Sequence, residues 1–351
     1  MRIVYFGTYE RNYPRNAQVI SCLRRAGVAV VERHVSVWDG REHKFSAGLG
    51  AALRLARAER SLLRRLDGDF DAVVVGYPGH LDLPAAKRAA RGTPVVFNPL
   101  VSLSDTLVSD RGRFATDSRA AKILRAIDRA AFRAADLVVA DTAAQAAFFE
   151  KLGARRTDVC LVGAEERLFA PGWRQPDEFT CLFIGKLIPL HGLETILEAA
   201  RRAPELRFRV VGSGQLRPLL EGRPGNVECR AWVEYERLPD ELRACGCALG
   251  IFGTSPKARR VIPNKVFQAL ACGAPVVTAD TPAARELLAD EESSLLVPPG
   301  DADALVAALR RLATDPELTR RIAARGLSTY RARASEAILG ERWRALIADL
   351  L

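Results

Sequence analysis

Residues 250–280, GIFGTSPKARRVIPNKVFQALACGAPVVTAD, constrain this chain more than any other stretch. An apolar run, 247–252, reads as a strand that empties into a loop of Gly253, Thr254, Ser255 and Pro256. Basic residues follow (Lys257, Arg259, Arg260), then a helix that the pattern opens at Pro263 and closes near Gly273. Proline suits a first helical turn because its missing N–H has no partner there, and glycine suits the position just past the end. On that helix Lys265 and Gln268 share one face, and Val266 and Leu270 share another. One face therefore packs on a sheet. The other offers an ammonium and an amide beside a helix N-terminus, which favours an anion. The combination suits a phosphate group held next to a sugar.

The rest of the chain repeats this alternation. Strand patterns at 3–6, 28–37, 72–75, 94–97, 137–140 and 159–162 are interleaved with helical ones at 14–26, 48–66, 84–90, 118–134 and 142–152. A break at 169–178, with Pro171, Gly172 and Pro176, reads as a linker. A second series has strands at 180–184, 208–211, 248–252, 275–278 and 295–297, and helices at 193–202, 215–221, 239–244, 263–272, 282–289 and 303–314. Such alternation predicts α/β domains, each a parallel sheet wrapped by helices, divided as 1–172 and 177–334. The tail, 316–351, is helical with a break expected at Gly326, and its last part can pack back on the first domain.

Composition narrows the class. Charged and apolar shares of 27% and 48% are those of a globular protein, and no apolar run approaches a membrane span. A strand pattern beginning at Arg2 and an odd count of 7 cysteines without repeated spacing lead us to expect no leader and reduced thiols, hence a cytoplasmic protein. Residues 1–175 hold 28 basic against 19 acidic side chains, whereas 176–351 hold 24 against 23. That bias, with the basic helix 48–66 carrying Arg54, Arg57, Arg60, Arg64 and Arg65, suits an anionic membrane surface or an anionic acceptor. It suits solvated outer helices equally. No aromatic residues interleave the basic ones, so nucleic acid is not expected.

Loops after strand ends carry the candidate site residues of the first domain. Tyr9, Arg11, Asn12, Arg15 and Asn16 follow the first strand, without the GxGxxG of a dinucleotide site. His80 follows the third and is the candidate proton carrier, though a loop histidine is more often structural. Asp105 and Asp110 follow the fourth, where a catalytic or orienting carboxylate would sit; both residue types also cap helices and turns. In the second domain, glycine-bearing strand exits line up at Gly185–Gly192, Gly212–Gly214 and Gly253, where a ligand can approach backbone N–H groups.

In the stretches FIGKLIPLHGLETILEAA, VVGSGQLRPLLE, WVEYERLPDEL, PNKVFQALACGAPVVTAD and ARELLADEESSLLVPPGDADAL, the second domain resembles the GT-B glycosyltransferases, and among them the large retaining family numbered four. The first domain is similar only in layout. The resemblance implies two Rossmann-like doubly wound domains facing each other across a cleft. A nucleotide-diphosphate sugar would be held by the second domain and a glycan, lipid-linked or small-molecule acceptor by the first. Transfer would retain configuration, without a metal or other cofactor.

Residue by residue, the family's donor arginine matches Lys186, and its lysine before glycine matches His191. Lys265 resembles the Pro-x-Lys variant, and Lys265, Lys186 and Asp105 are the catalytic candidates. Gly185, His191, Gly212, Gly214, Val233, Gly253, Thr254, Arg260, Asn264, Gln268 and Glu286 are expected on the donor, and Tyr9, Arg11, Arg15, Asn16 and His80 on the acceptor. The family's paired glutamates fall on Arg260 and Gln268. Gln268 can still bind a ribose hydroxyl, but Arg260 cannot act as a carboxylate. Two further readings stay open: a sugar-nucleotide epimerase of the same fold, which would need carboxylates near the sugar, and a non-catalytic nucleotide-sugar or polysaccharide-binding partner.

Overall fold

The computed structural model describes residues 1–11, 13–37, 49–63 and 68–351. Asn12, Arg64 and Arg65 lie outside the described residues. The chain divides into two compact units, Met1–Val162 with Glu336–Leu351, and Gly163–Ser335. Among the described residues, no helix is long and apolar enough to cross a membrane.

In the first unit β1 (Arg2–Gly7), α1 (Pro14–Arg25), β2 (Ala29–His34), α2 (Leu49–Leu62), β3 (Ala72–Val75), α3 (Leu83–Ala90), β4 (Val95–Phe97), α4 (Arg119–Ala134), β5 (Leu137–Ala140), α5 (Ala143–Leu152) and β6 (Thr157–Val159) follow in order. The six strands are parallel in the order β2-β1-β3-β4-β5-β6. β3, β4 and β5 are buried throughout, which is why they read as unbroken apolar runs. Strand order reverses between β1 and β3, so the loops after these two strands flank the crevice where such sheets bind ligands.

The second unit has β7 (Thr180–Ile184), α6 (Leu193–Arg202), β8 (Arg207–Val211), β9 (Val227–Arg230), α7 (Leu238–Ala244), β10 (Cys247–Leu249), α8 (Asn264–Cys272), β11 (Val276–Ala279), α9 (Pro282–Arg285), β12 (Leu295–Val297), α10 (Ala302–Thr314) and α11 (Pro316–Arg333). Its parallel sheet runs β12-β11-β10-β7-β8-β9, with the reversal between β7 and β10. A last helix, α12 (Glu336–Ala348), belongs to the first unit. There Trp343 is fully buried under the Arg15 guanidinium, and a Cβ at Gly340 would lie 2.3 Å from the Cys22 carbonyl of α1.

Several expectations need correction. The pattern missed β9, an edge strand whose Glu228 and Arg230 point outward into ion pairs with Arg209 and Glu241 and so hide its period. Residues 215–221 hold only a 3₁₀ turn, Arg217–Leu220, and the loop after β4 contains a π-helical segment, Asp105–Asp110. Pro263 is extended (φ −73°, ψ 150°) and caps α8 from outside instead of opening it. The linker docks on the far end of that helix: Gly172 and Trp173 donate their N–H groups to the Cys272 carbonyl, and the Trp173 indole donates to Cys245 O.

Gly326 does not break the tail. It lies inside α11, and the helix ends at Ala334. Glycine is needed there for close packing, since a Cβ would meet Leu270 Cδ2 at 2.8 Å and Ser293 O at 2.9 Å. Gly326→Val is therefore expected to destabilise the protein by about 1–3 kcal/mol, overpacking outweighing the gain in helix propensity. A urea midpoint unchanged from wild type would contradict this.

Candidate functional site

The reversal point of the second sheet collects the residues that chemistry there would need. β7 exits through Gly185, whose φ of +147° only glycine takes readily, and β8 exits through Gly212 with its backbone against Gly185. The loops after β7 and β10 also pack backbone on backbone: a Cβ at Gly192 would meet Gly253 N at 2.6 Å, and Phe252 donates its N–H to His191 O. Gly214 lies against Leu187 in the same way. These glycines remove side chains from the floor of the site.

Lys265 stands in the first turn of α8, whose N-terminus no side chain caps. Its residue is 8% exposed, and among the described residues Nζ finds no hydrogen-bond partner. Nζ sits 3.6 Å from the Phe183 ring centroid, and a Cβ at Gly185 would lie 3.0 Å from it. Burial holds its proton affinity well below that of an ordinary lysine. His191 packs edge-on against the same Phe183 ring, and its Nδ1 donates to Lys186 O at 2.5 Å, because a carbonyl only accepts.

Around this centre Gln268 is buried one helical turn on, its amide nitrogen 3.3 Å from the Tyr235 hydroxyl. Asn264, Arg260, Val233 and Glu286 are half-buried, and Lys186 and Thr254 are exposed. Phe183 and Tyr235 were missed by sequence reasoning. Each reads locally as an ordinary apolar or loop residue, and no periodic signal singles it out.

The first unit disposes its candidates differently. Arg15 is fully buried and donates to Asn98 Oδ1, Leu161 O and Cys160 O, while Asn16 bonds Tyr5, Glu10 and Tyr77. Both tie strand exits together instead of being presented in an open polar loop. Tyr9 is also buried and donates to Glu32, which accepts from exposed Arg11 as well. His80 is 4% exposed, held edge-on between Phe97 and Phe132 with Nε2 3.4 Å from Asp128, and burial lowers its proton affinity. Asp105 opens the π-helical segment, its N–H bonded to Ser102 Oγ.

An acidic pair that the sequence did not suggest lies at the reversal point of this sheet. Asp82 accepts from the N–H and hydroxyl of Thr8, and reaches them because Gly7 has no Cβ in the way. Glu59, on α2, lies beside Asp82, and its Oε1 is buried without a hydrogen-bond partner among the described residues.

Comparison with known proteins agrees with this architecture. The family description "Glycosyl transferases group 1" matches residues 178–315, and "Glycosyl transferase 4-like domain" matches 2–164. The lipopolysaccharide core biosynthesis glycosyltransferase LpsE of Rhizobium meliloti (strain 1021) is 25% identical over 47% of this chain and 48% of its own. The phosphatidyl-myo-inositol mannosyltransferase of Mycolicibacterium smegmatis is 29% identical over 49% and 44%. The chain thus spans about half the length of the curated relatives it matches. Among solved structures, sucrose-phosphate synthase from Thermosynechococcus elongatus superposes with a TM-score of 0.76 at 17% identity, covering 99% of this chain and 98% of that one. HepE of Anabaena, in complex with UDP-glucose, gives 0.72 at 17%, covering 99% and 100%.

Glu59 makes the first unit sensitive to pH. Burial, and then the adjacent Asp82 carboxylate, push its carboxyl up to about 9. The folded chain keeps a proton that the unfolded chain releases, so this contribution is complete below about pH 4.5 and is lost as pH rises toward 9. Glu59→Gln keeps a hydrogen-bond donor and cannot ionise. It is expected to melt with wild type near pH 5 and a few degrees above it near pH 9, on the scale of roughly 2–4 °C per kcal/mol. Equal melting temperatures at both pH values would contradict the assignment.

Proposed function

This chain belongs to the group 1 glycosyltransferases and has their GT-B fold, and we propose that it transfers a sugar from a nucleoside-diphosphate sugar to an acceptor. The observation that carries the reading is the Lys265 ammonium: buried, without a partner among the described residues, and placed at a helix N-terminus beside glycine-floored strand exits. A lysine has little packing reason to be there. A diphosphate supplies the missing counter-charge, and its arrival restores the proton that burial disfavours. As the sugar–phosphate bond breaks, charge grows on the leaving diphosphate, where a fixed ammonium and helix-end N–H groups are worth most.

His191, Lys186, Gly253 and Thr254 complete the donor contacts in this reading, with Gln268 on the nucleoside and Asn264, Val233, Arg260 and Glu286 around it. The likeness to HepE, whose complexes contain UDP-glucose, UDP and glucose, makes a uridine nucleotide the first donor to try. Retention of configuration and independence of a metal belong to the same proposal. The cations needed at the diphosphate come from the chain itself. The acceptor falls to the first unit and is a glycan, lipid-linked or small molecule. LpsE acts in lipopolysaccharide core biosynthesis, and a chain with 28 basic against 19 acidic residues in 1–175 suits a cytoplasmic enzyme working at an anionic membrane face.

Arg260 and Gln268 leave this position of the site without the carboxylates an epimerase would use. They favour, as the second reading, a protein that binds a nucleotide sugar without consuming it. Donor hydrolysis or transfer to an extract of acceptors separates the two, since the binding protein turns over none.

Lys265→Met tests the main reading on two axes. Removing an ammonium that burial destabilises is expected to raise the unfolding midpoint. In the folded chain the depressed lysine costs stability increasingly as pH falls below its ordinary value of 10.5. Turnover should fall by about 10²–10³, the scale of one lost transition-state charge contact. A variant that keeps wild-type turnover removes Lys265 from the mechanism.

A further inference from the structure

In the first unit the excess of basic residues gathers on a helix that composition did not single out. α2 turns Arg54 Nε inward and carries Glu59 among its arginines. α4 is different. Its only carboxylate, Asp128, is fully buried, while its cations, Arg119, Lys122, Arg125, Arg129 and Arg133, are all exposed. Among the described residues none of these cations has an ion-pair partner, and Arg125 reaches only the Thr116 carbonyl.

Helical spacing sets Lys122, Arg129 and Arg133 in a row along the outer face. Beside it runs an apolar row of Ile123, Ala126 and Ala130, in which Ile123 is 59% exposed. A Cβ at Gly153 would lie 3.2 Å from Arg133 Cγ and 3.5 Å from Arg129 Cγ. Both stems therefore lie across the C-terminal cap of α5, where Lys151 and Arg155 are exposed as well.

Other outer helices treat their arginines differently. On α6, Glu198 holds Arg201 and Arg202, and on α10, Glu205 and Glu291 hold Arg310 and Arg311. α11 exposes Arg320, Arg321 and Arg325, but with no large apolar side chain exposed beside them. α4 forgoes pairing and sets like charges four apart at Arg125, Arg129 and Arg133, where they repel. It also opens on cations, with no acidic residue in its first turn to suit the helix dipole. Such a face gains from a surface of negative charge. A soluble polyanion would use the cations and leave Ile123 idle, whereas a bilayer with anionic headgroups uses both rows.

We propose that the outer face of α4, continued by the end of α5, is the surface on which this protein docks on an anionic lipid bilayer. The inference rests on the membrane-face part of the proposed function and deepens it, and it is independent of the donor chemistry.

Co-flotation of the whole chain with vesicles of phosphatidylcholine and phosphatidylglycerol, and with phosphatidylcholine alone, tests it at low and high salt. Wild type is expected on the anionic vesicles only, and to leave them at high salt. K122Q/R129Q/R133Q should bind about 100-fold more weakly, at about fivefold per cation, and I123A about tenfold more weakly. The triple variant should melt no lower than wild type, since it removes repulsion from an exposed face. R320Q/R321Q/R325Q, on α11, removes the same charge and should bind as wild type does.

Wild type absent from the anionic vesicles overturns the membrane-face reading as a whole. Equal losses from the α4 and α11 variants would reduce the effect to net charge and overturn the assignment to α4. I123A bound as tightly as wild type would mark a site for polyanions and overturn the choice of a bilayer. Donor hydrolysis in the same variants is expected to match wild type. Its absence from wild type counts against sugar transfer alone and leaves the vesicle result standing.

Discussion

A cation held in the interior without an opposing charge is a cost, and the second unit is arranged around one. Lys265 Nζ faces an aromatic ring at 3.6 Å and finds no acceptor among the described residues. Ordinary folding would expel such a group or pair it. In the proposed function a ligand that brings negative charge offsets that cost, with the surrounding glycines leaving the backbone open to it. The uncapped start of α8 adds N–H groups of the same polarity.

Two doubly wound sheets place their reversal points at β1/β3 and β7/β10, and the two are furnished in opposite ways. The second carries cations and glycine. The first carries carboxyl groups: Asp82 against Gly7 and Thr8, with Glu59 beside it. Asp128 anchors the loop after β4 by accepting from Ser102, Leu103 and Ser104.

Much of this was legible in the sequence because it is local. Strand and helix periods, Gly185 and Gly273 at element ends, and Lys265 on one helical face with Gln268 all lie within short windows, and the alternation of elements implies a parallel sheet. What stayed hidden depends on residues far apart in the chain. Phe183 meets Lys265, Tyr235 meets Gln268, and Glu59 meets Asp82 only once the sheets are wound. Arg15 and His80 misled for the converse reason: polar types in a strand-end loop look available, yet here they are buried to satisfy the fold's own carbonyls. Gly326 misled because a glycine that admits a neighbouring helix looks like one that ends its own.

The docking of the linker on α8 has a mechanical consequence. The carbonyl of Cys272 at one end of that helix takes the N–H groups of Gly172 and Trp173, while Lys265 stands at the other end. The segment that leads into the unit is therefore fixed at the C-terminal end of the same nine-residue helix whose first turn carries the ammonium.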